Sequence, residues 1–303
     1  MDIHNCKMCP RHCGVDRTTS NLGFCNIDYK PHIAEICVHR GEEPVLSGEM
    51  GVCNVFFSGC NLRCVYCQNY EISQLLVQKK EITSIQKAVD KIANILCSGV
   101  EAVGFVSPSH QIFQMKSIID LLHKRGFYPT IIYNSNGYDD VETLRELEGY
   151  VNIYLPDFKY SLEDLGQKYS SASSYREIAL KAIKEMYYQK GSVLEIDEKT
   201  NRALNGLIIR HLVLPNNVKN SLGVLEDIAY EISPNVHISL MSQYYPEFKA
   251  KEMQDLNRIL TVEEYQQVCQ KAEDLYLFKG WVQNMESNTN YRPDFNKDGN
   301  PFE

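Results

Sequence analysis

The sequence predicts an α/β protein with a parallel sheet or barrel, preceded by a cysteine-rich N-terminal segment. Between residues 52 and 275, strand-length apolar runs alternate with amphipathic helical segments about six times. Nine of the 11 cysteines fall within the first 67 residues, before most of this alternation begins. The 303 residues, 44% of them hydrophobic, suffice for one large domain with an appendage or for two modest domains.

The predicted strands are short apolar runs, and between them apolar residues recur at spacings of three and four, as on one face of a helix. The predicted strands are Val52–Phe57, Ala102–Val106, Thr130–Tyr133, Val151–Leu155, Leu207–Leu214 and Val236–Met241. The predicted helices are Ile85–Leu96, Gln111–Leu122, Val141–Leu147, Tyr175–Tyr188, Leu222–Ile232 and Val262–Leu275. Strand followed by helix is the pattern of a parallel sheet.

Three segments depart from this alternation. A hairpin-like insert is expected around Val193–Ala203. Residues 1–50 contain five cysteines without a helical period, and we expect a separate metal-binding extension there. The tail 284–303 is polar, with Pro293 and Pro301, and is expected to lie on the surface or pack as an irregular strap. The alternating part is therefore expected to span residues 51–283.

Charge and hydropathy exclude several classes of protein. With 31 Lys and Arg against 39 Asp and Glu, the net charge of −8 argues against nucleic-acid binding. The apolar runs are far shorter than the roughly 20 residues that cross a bilayer, and the first residues do not resemble a signal peptide. We therefore expect a cytoplasmic protein that binds neither nucleic acid nor a membrane. In that reducing compartment, clustered cysteines favour metal or iron–sulfur ligation over disulfides.

The strongest motif directly follows the first predicted strand of the alternating region. Cys60, Cys64 and Cys67 have the spacing CxxxCxxC. Three thiolates on one loop can ligate three irons of a [4Fe-4S] cluster, which leaves the fourth iron open to a small molecule. A zinc site or an ordinary four-thiolate ferredoxin site is an alternative, although zinc more often has four ligands in paired groups. Three unrelated buried cysteines are the remaining interpretation.

With this motif, the chain resembles the radical S-adenosylmethionine (SAM) superfamily, and Tyr66 stands at the aromatic position usual before the last cysteine. Downstream blocks resemble the branch that contains the pyruvate formate-lyase activating enzyme and its uncharacterised homologues. The blocks are Gly41–Pro44, Phe57–Cys60, Tyr133–Tyr138, Leu155–Tyr160, Arg210–Pro215 and Leu240–Tyr244. The resemblance implies an open, partial (β/α)6 TIM-like barrel over residues 51–283. It also implies reductive cleavage of SAM to a 5′-deoxyadenosyl radical that abstracts hydrogen from a substrate.

The resemblance also implies a set of SAM-binding residues at predicted strand ends, where barrel folds place ligand contacts. Ser135 and Asn136 are expected to hydrogen-bond the methionyl group. Asp157 is expected to contact the ribose or the amine, and Lys159 the carboxylate or the ribose. Arg210 is expected to hold the carboxylate with its forked donors. Each residue also has an ordinary alternative: a turn for Asn136, a surface ion pair for Asp157 with Lys159, and a surface position without function for Arg210.

Two features depart from the family pattern. The Gly-Gly-Glu stretch after the second strand is replaced by Gly104–His110, so amine recognition is expected to fall to backbone carbonyls or to the hydroxyls of Ser107 and Ser109. The activating enzyme's histidine after the sixth strand is also absent, and Gln243 or Tyr244 occupies that region. Both departures weaken the transfer of that enzyme's substrate to this chain.

A second cysteine group lies in the N-terminal extension. Cys6, Cys9, Cys13 and Cys25 supply four thiols within twenty residues. Such a short, core-poor segment needs a staple in order to fold, and a bound metal provides one. We expect a four-thiolate site for zinc or for a second iron–sulfur cluster, with free thiols as the alternative.

The leading functional hypothesis is a radical SAM enzyme with an unidentified small-molecule, peptide or protein substrate. It requires a reductant such as flavodoxin or ferredoxin. One alternative is an activase that abstracts hydrogen from a glycine of a partner enzyme. The other is non-enzymatic, an iron–sulfur electron carrier or a metal-binding scaffold. Cleavage of SAM distinguishes the enzymes from the carrier, because a carrier has no open iron.

Overall fold

The computed structural model describes residues 2–76, 81–289, 292–297 and 299–303. These residues form nine strands that pair into one sheet, with β6 beside β7 and the rest in the order β1-β2-β3-β4-β5-β7-β8-β9. The strands are β1 Ile33–His39, β2 Val52–Phe57, β3 Ala102–Val106, β4 Thr130–Ser135, β5 Ile153–Pro156, β6 Glu195–Ile196, β7 Ala203–Leu212, β8 His237–Met241 and β9 Gly280–Val282.

Helices occupy most of the connections between the strands. They are α1 Pro44–Ser47, α2 Tyr70–Ser73, α3 Ile85–Leu96, α4 Ile112–Lys124, α5 Val141–Arg145, α6 Glu163–Ser170, α7 Tyr175–Lys190, α8 Val218–Asp227 and α9 Val262–Asp274. The apolar faces of the longer helices pack with strand side chains in the main core, where Ile92 of α3, Ile118 of α4 and Ile183 of α7 are fully buried. Burial of this kind is the main source of the fold's stability.

The sheet confirms the predicted fold class, an open α/β array. Strands β2, β3, β4, β5, β7, β8 and β9 run parallel in chain order. At one edge β1 pairs antiparallel with β2, and at the other β9 pairs only with β8, so the edges do not meet within the described residues. The structure is therefore a partial barrel that is open along one side.

The inner face of the sheet changes from apolar to polar along the strands. At the amino ends, Val52, Ala102, Ile153 and Ile208 belong to a small separate apolar cluster. Two residues further along β7, the same face of the strand carries Arg210, because side chains alternate with a period of two. The amino end of the barrel is thus filled by apolar side chains, and the polar groups lie towards its carboxyl end.

Several predicted elements match the structure closely. Helix α3 and strands β2 and β3 have the predicted bounds, and the expected hairpin is present as β6 paired antiparallel with β7. Five of these strands and helices were not predicted, namely β1, β9, α1, α2 and α6. Strand β1 lies within residues 1–50 and pairs with β2, so part of the expected N-terminal extension belongs to the sheet. A separate metal-binding role for this extension stays a prediction.

The C-terminal tail packs against the first strands. Phe295 is fully buried, with its ring centroid 5.4 Å from that of Phe56 on β2, and Phe302 lies 5.8 Å from the same ring. The Phe295 amide donates to Glu71 Oε2 at 2.8 Å. Residues 290, 291 and 298 of the expected tail lie outside the described residues. Among the helices described, none is long and apolar enough to cross a membrane.

Candidate cofactor site at the carboxyl ends of the strands

A cavity opens at the carboxyl ends of the parallel strands, and we call it the strand-end cavity. Its wall includes three thiols from the loop after β2, polar side chains from the ends of β3, β4, β5 and β7, and two residues of the C-terminal tail. These residues are Cys60, Cys64, Tyr66, Cys67, Ser107, Asn136, Asp157, Lys159, Arg210, Pro293 and Phe302. Ligands of barrel proteins bind at this end of the strands.

The loop after β2 brings Cys60, Cys64 and Cys67 to one cavity. Gly59 begins the turn with φ +73°, and a Cβ there would lie 2.7 Å from the carbonyl oxygen of Cys25, so the position requires glycine. The amide of Leu62 donates to Cys60 Sγ at 3.4 Å. Sulfur atoms that accept amide hydrogens are well suited to carry the negative charge of a thiolate.

Hydrogen bonds from α6 and the segment before it hold this loop. The amide of Arg63 donates to the Ser170 carbonyl at 3.0 Å, and Cys64 Sγ and Ser170 Oγ lie 3.0 Å apart. Tyr66 OH lies 2.5 Å from Tyr160 OH, which hydrogen-bonds to Ser170 Oγ at 2.8 Å. Tyr66 thus has a second role that its position in the motif did not reveal, as an anchor of the loop.

Burial keeps the three thiols protonated in the absence of a bound cation. It raises the pKa of Cys60 to about 11 and that of Cys67 to about 12. It also raises the pKa of Cys64, although the Lys159 ammonium opposes this shift. A metal centre that binds here must displace these protons, and soft thiolates suit iron–sulfur clusters. Three sulfur donors on one buried loop therefore fit a cluster with one iron left without a protein ligand.

Opposite charges meet on the other wall of the cavity. Lys159 Nζ donates to Asp157 Oδ2 at 2.6 Å, and Arg210 Nε donates to Asp157 Oδ1 at 3.1 Å. Burial raises the pKa of Asp157, but the two cations outweigh that effect and the pKa lies below its usual value. Asp157 is therefore ionised, and the pair with Lys159 is largely buried rather than on the surface.

Glu42 is a cavity residue for which no role was predicted. Its carboxylate accepts from Arg210 Nη1 at 3.0 Å and from Asn54 Nδ2 at 2.8 Å. It precedes α1 and lies 168 positions from Arg210 in the chain, so only the fold brings the two together. The only available signal was the Gly41–Pro44 block. Gln243 also lines the cavity, and its Oε1 accepts from Gln283 at 3.0 Å.

The remaining predicted contacts divide into two groups. Asn136 lines the cavity, where Nδ2 donates to Cys60 Sγ at 3.5 Å, and Ser107 lines it at the end of β3. Ser135 and Ser109 are not part of its lining. Both hydroxyls donate to the buried carboxylate of Asp139, and the Ser109 bond is 2.6 Å long. Their hydrogen-bonding capacity is therefore directed into the core.

The N-terminal cysteines lie in a different cavity. Cys6, Cys9, Cys13 and Cys25 line one small space, which we call the four-cysteine cavity. Asn61 lines it too, while its neighbour Cys60 lines the strand-end cavity. Burial raises the pKa of Cys9 and of Cys25. The structure thus separates the seven predicted ligands into the two groups that their spacing indicated.

Comparisons with known proteins agree with the cysteine motif. Residues 54–197 match the Radical SAM superfamily. An uncharacterised protein of Methanocaldococcus jannaschii, MJ0674, is 33% identical over 275 residues, which cover 89% of this chain and 74% of the relative. A second uncharacterised protein of that organism, MJ0808, is 22% identical over 308 residues, covering 95% of this chain and 84% of the relative.

Solved structures resemble this chain more distantly. A structure of TYW1 with a lysine-pyruvate adduct bound has a TM-score of 0.49 at 15% identity and covers 78% of both chains. Streptococcus suis SuiB bound to the precursor peptide SuiA has a TM-score of 0.49 at 9% identity, over 76% of this chain and 48% of SuiB. A domain of pyruvate-formate lyase-activating enzyme from Bacteroides vulgatus has a TM-score of 0.38 at 18% identity, over 57% of this chain and 93% of that domain. From its motif and its sequence match, this chain belongs to the radical SAM superfamily.

Proposed function

We propose that this protein is an enzyme that cleaves SAM reductively and uses the resulting radical to abstract hydrogen from a substrate. The observation that carries the proposal is the convergence of Cys60, Cys64 and Cys67 on a cavity whose opposite wall is charged. When bound, a [4Fe-4S] cluster supplies the electron that splits the sulfonium of SAM into methionine and a 5′-deoxyadenosyl radical. The chain's own residues bind and orient the reactants.

The three loop cysteines hold the cluster in this proposal. Amide and side-chain donors reach Cys60 Sγ from Leu62 and Asn136, and Ser73 Oγ lies 3.3 Å from Cys67 Sγ. Such hydrogen bonds to sulfur favour the anionic form and tune the reduction potential of a cluster. In the described part of the cavity wall there is no fourth cysteine, which supports an iron that is free to bind SAM.

The charged wall suits the zwitterionic methionyl end of SAM. Arg210 and Lys159 offer cationic donors for a carboxylate, and Asp157 and Glu42 offer acceptors for an ammonium group. The positive and negative groups lie side by side because the Arg210 guanidinium donates to the carboxylates of both Asp157 and Glu42. We therefore assign amine recognition to Glu42 and Asp157, in place of the family's Gly-Gly-Glu stretch. Ser107 and Asn136 supply further polar contacts.

The part of the strand-end cavity wall formed by the C-terminal tail limits the class of substrate. Pro293 and Phe302 of the C-terminal tail line the strand-end cavity. The tail therefore occupies part of the space beside the cavity that a substrate would otherwise enter. A glycyl-radical activase must admit a peptide loop of its partner to this cavity. The tail contacts support a radical enzyme with a different, compact substrate over such an activase.

The proposal is tested by the response of the reduced cluster to SAM. We expect the electron paramagnetic resonance spectrum of the anaerobically reconstituted, reduced protein to change when SAM is added. The change should disappear in Cys67→Ala and persist in Cys97→Ala, which removes an exposed cysteine at the end of α3. If the spectrum of the reduced wild-type protein does not change when SAM is added, the protein is an electron carrier or a scaffold instead.

A further inference from the structure

The four-cysteine cavity is a sulfur-lined space outside the radical SAM site. Four thiols line it together with apolar side chains such as Val15 and Ile27. Two imidazoles are also present, but His12 hydrogen-bonds to Asp140 at 2.9 Å and His110 to the Ser58 carbonyl at 2.8 Å. The ligands available to a metal are therefore four thiols, a set that selects soft metals and iron–sulfur clusters.

The backbone around these thiols is organised by turns alone. Within residues 2–32, which the structure describes, there is no helix or strand. The Cys6 amide donates to the Val15 carbonyl and the Gly14 amide to the Cys6 carbonyl, each at 3.0 Å, and the Phe24 amide donates to Cys13 Sγ at 3.4 Å. Loops that present sulfur in this way need a bound centre to hold them together.

Two arginines beside the cavity lack anionic partners. Arg17 is only 1% exposed, donates to the carbonyls of His110 and Asp28, each at 2.7 Å, and has no partner for Nε. Arg11 donates from Nε to the Asn61 carbonyl at 2.9 Å, and its Nη2 is buried without a partner. Neither guanidinium forms a salt bridge with any described residue.

A buried cation without a counter-charge is strongly destabilising. Four thiolates around a metal centre carry a net negative charge, and they lie along the same cavity wall as both guanidinium groups. Ionised, bound cysteines supply the counter-charge that both guanidinium groups lack. Free thiols leave Arg17 with carbonyl partners only, and Arg11 with one carbonyl and the Phe24 ring, whose centroid lies 3.7 Å from Arg11 Cζ.

We propose that Cys6, Cys9, Cys13 and Cys25 bind a second iron–sulfur cluster, distinct from the one assigned to Cys60, Cys64 and Cys67. Each sulfur loses its proton to solvent and forms a bond to an iron of a preformed cluster, so the ligation step itself changes no oxidation state. The proposal does not rest on the function proposed above.

The spread of the thiols favours a cluster over zinc. A tetrahedral zinc site draws four sulfurs to about 2.3 Å from one point. Yet the described residues contain no group of three His, Cys, Asp or Glu side chains arranged to hold a single metal ion, although the four thiols share one cavity. A four-iron cluster binds each thiolate to a different iron, so it suits sulfurs that share a cavity without converging on one point.

The test uses the protein with Cys60, Cys64 and Cys67 all changed to alanine, so that only the N-terminal site remains. After anaerobic reconstitution, we expect about four irons and four sulfides per chain. A further Cys9→Ala change should abolish this content, whereas a further Cys97→Ala change should preserve it. One zinc per chain without iron, or no bound metal, overturns the proposal.

A measurement on the unaltered protein guards against variants that fail to fold. Metal analysis of the reconstituted wild-type chain should give about eight irons, compared with about four if only the three-cysteine loop is loaded. Mössbauer spectra should then show two cluster populations, and addition of SAM should alter only one of them. A single population of four irons contradicts the proposal even when SAM binds normally.

Discussion

The hydroxyl oxygens of Tyr66 and Tyr160 lie 2.5 Å apart beside the cysteine loop. Tyr160 also hydrogen-bonds to Ser170 Oγ at 2.8 Å, and Ser170 to Cys64 Sγ at 3.0 Å. A row of buried hydroxyls thus connects the aromatic residue of the loop to one of its thiols. Because the row is shielded from water, each bond in it is expensive to break.

Tyr160→Phe removes one hydroxyl from this row and leaves two buried groups short of a partner. We expect the protein to lose about 1–3 kcal/mol of stability, seen as a lower urea midpoint of unfolding. Tyr188→Phe is the matched control, because Tyr188 is 84% exposed and its hydroxyl can bond to water. Equal midpoints for the two variants would show that the row contributes nothing.

Gly137 keeps the loop after β4 close to the loop after β5. Its φ is +80°, and a Cβ would lie 2.2 Å from the carbonyl oxygen of Asp157. Gly137→Ala should therefore displace Asp157, with a cost of about 1–3 kcal/mol from overpacking beyond the backbone strain, and should weaken SAM binding. Gly126→Ala carries nearly the same strain, at φ +83°, but has open space around it.

Calorimetric titration with SAM and urea unfolding of both glycine variants separate the two costs. Gly126→Ala reports the strain of a positive φ alone, and we expect it to bind SAM with wild-type affinity. If Gly137→Ala matches it in both measurements, the close approach to Asp157 has no role in the site.

Arg210→Lys tests the forked recognition of the cavity. Lysine keeps the charge but cannot reach Asp157, Glu42 and Asn134 together as the guanidinium does. We expect the dissociation constant for SAM to rise about tenfold. Arg125→Lys serves as control, since Arg125 pairs with Asp90 on the protein surface. An unchanged dissociation constant in Arg210→Lys would remove Arg210 from the binding site.

Buried histidine predicts a loss of stability in mild acid. Burial lowers the pKa of His211 from 6.5 to about 4. Its Nδ1 lies 2.7 Å from the Phe158 carbonyl and its Nε2 2.8 Å from Ser221 Oγ. The folded protein therefore holds His211 neutral while the unfolded chain takes up a proton. This stability is complete above pH 6.5 and is lost as the pH falls towards 4.

Urea unfolding at pH 7 and pH 5 measures this effect. We expect the midpoint to fall at the lower pH, and the fall to be smaller in His211→Gln, whose amide does not titrate. His123→Gln, at the surface of α4, should leave the fall unchanged. A fall of the same size in all three proteins would assign it to other groups.

The regular part of the fold was predictable because its signals are local. Helix α3 carries its apolar residues at helical spacing with Ser84 as its N-cap, and β2 and β3 are compact apolar runs, so their bounds followed from the sequence. Strand β1 was missed because the cysteine-rich surroundings hid its short apolar run. Its strand conformation depends on pairing with β2.

The candidate site was predictable only in part, and for a physical reason. The three loop cysteines are close in sequence, so their spacing revealed them. Glu42 meets Arg210 across 168 positions, and the tail residue Phe302 reaches the cavity from the far end of the chain. Ser135 shows the opposite case, since Asp139, four residues away, draws its hydroxyl into the core. Contacts of this kind depend on the tertiary structure, and no local sequence pattern predicts them.

The central claim is that Cys60, Cys64 and Cys67 support cleavage of SAM. The most direct measurement quantifies 5′-deoxyadenosine and methionine by mass spectrometry after anaerobic reconstitution, reduction and incubation with SAM. We predict both products, in equal amounts, from the wild-type protein and from Cys97→Ala, and neither from the triple Cys60/Cys64/Cys67 alanine variant. A fully reduced wild-type protein that forms neither product, or a triple variant that forms both, would contradict the account.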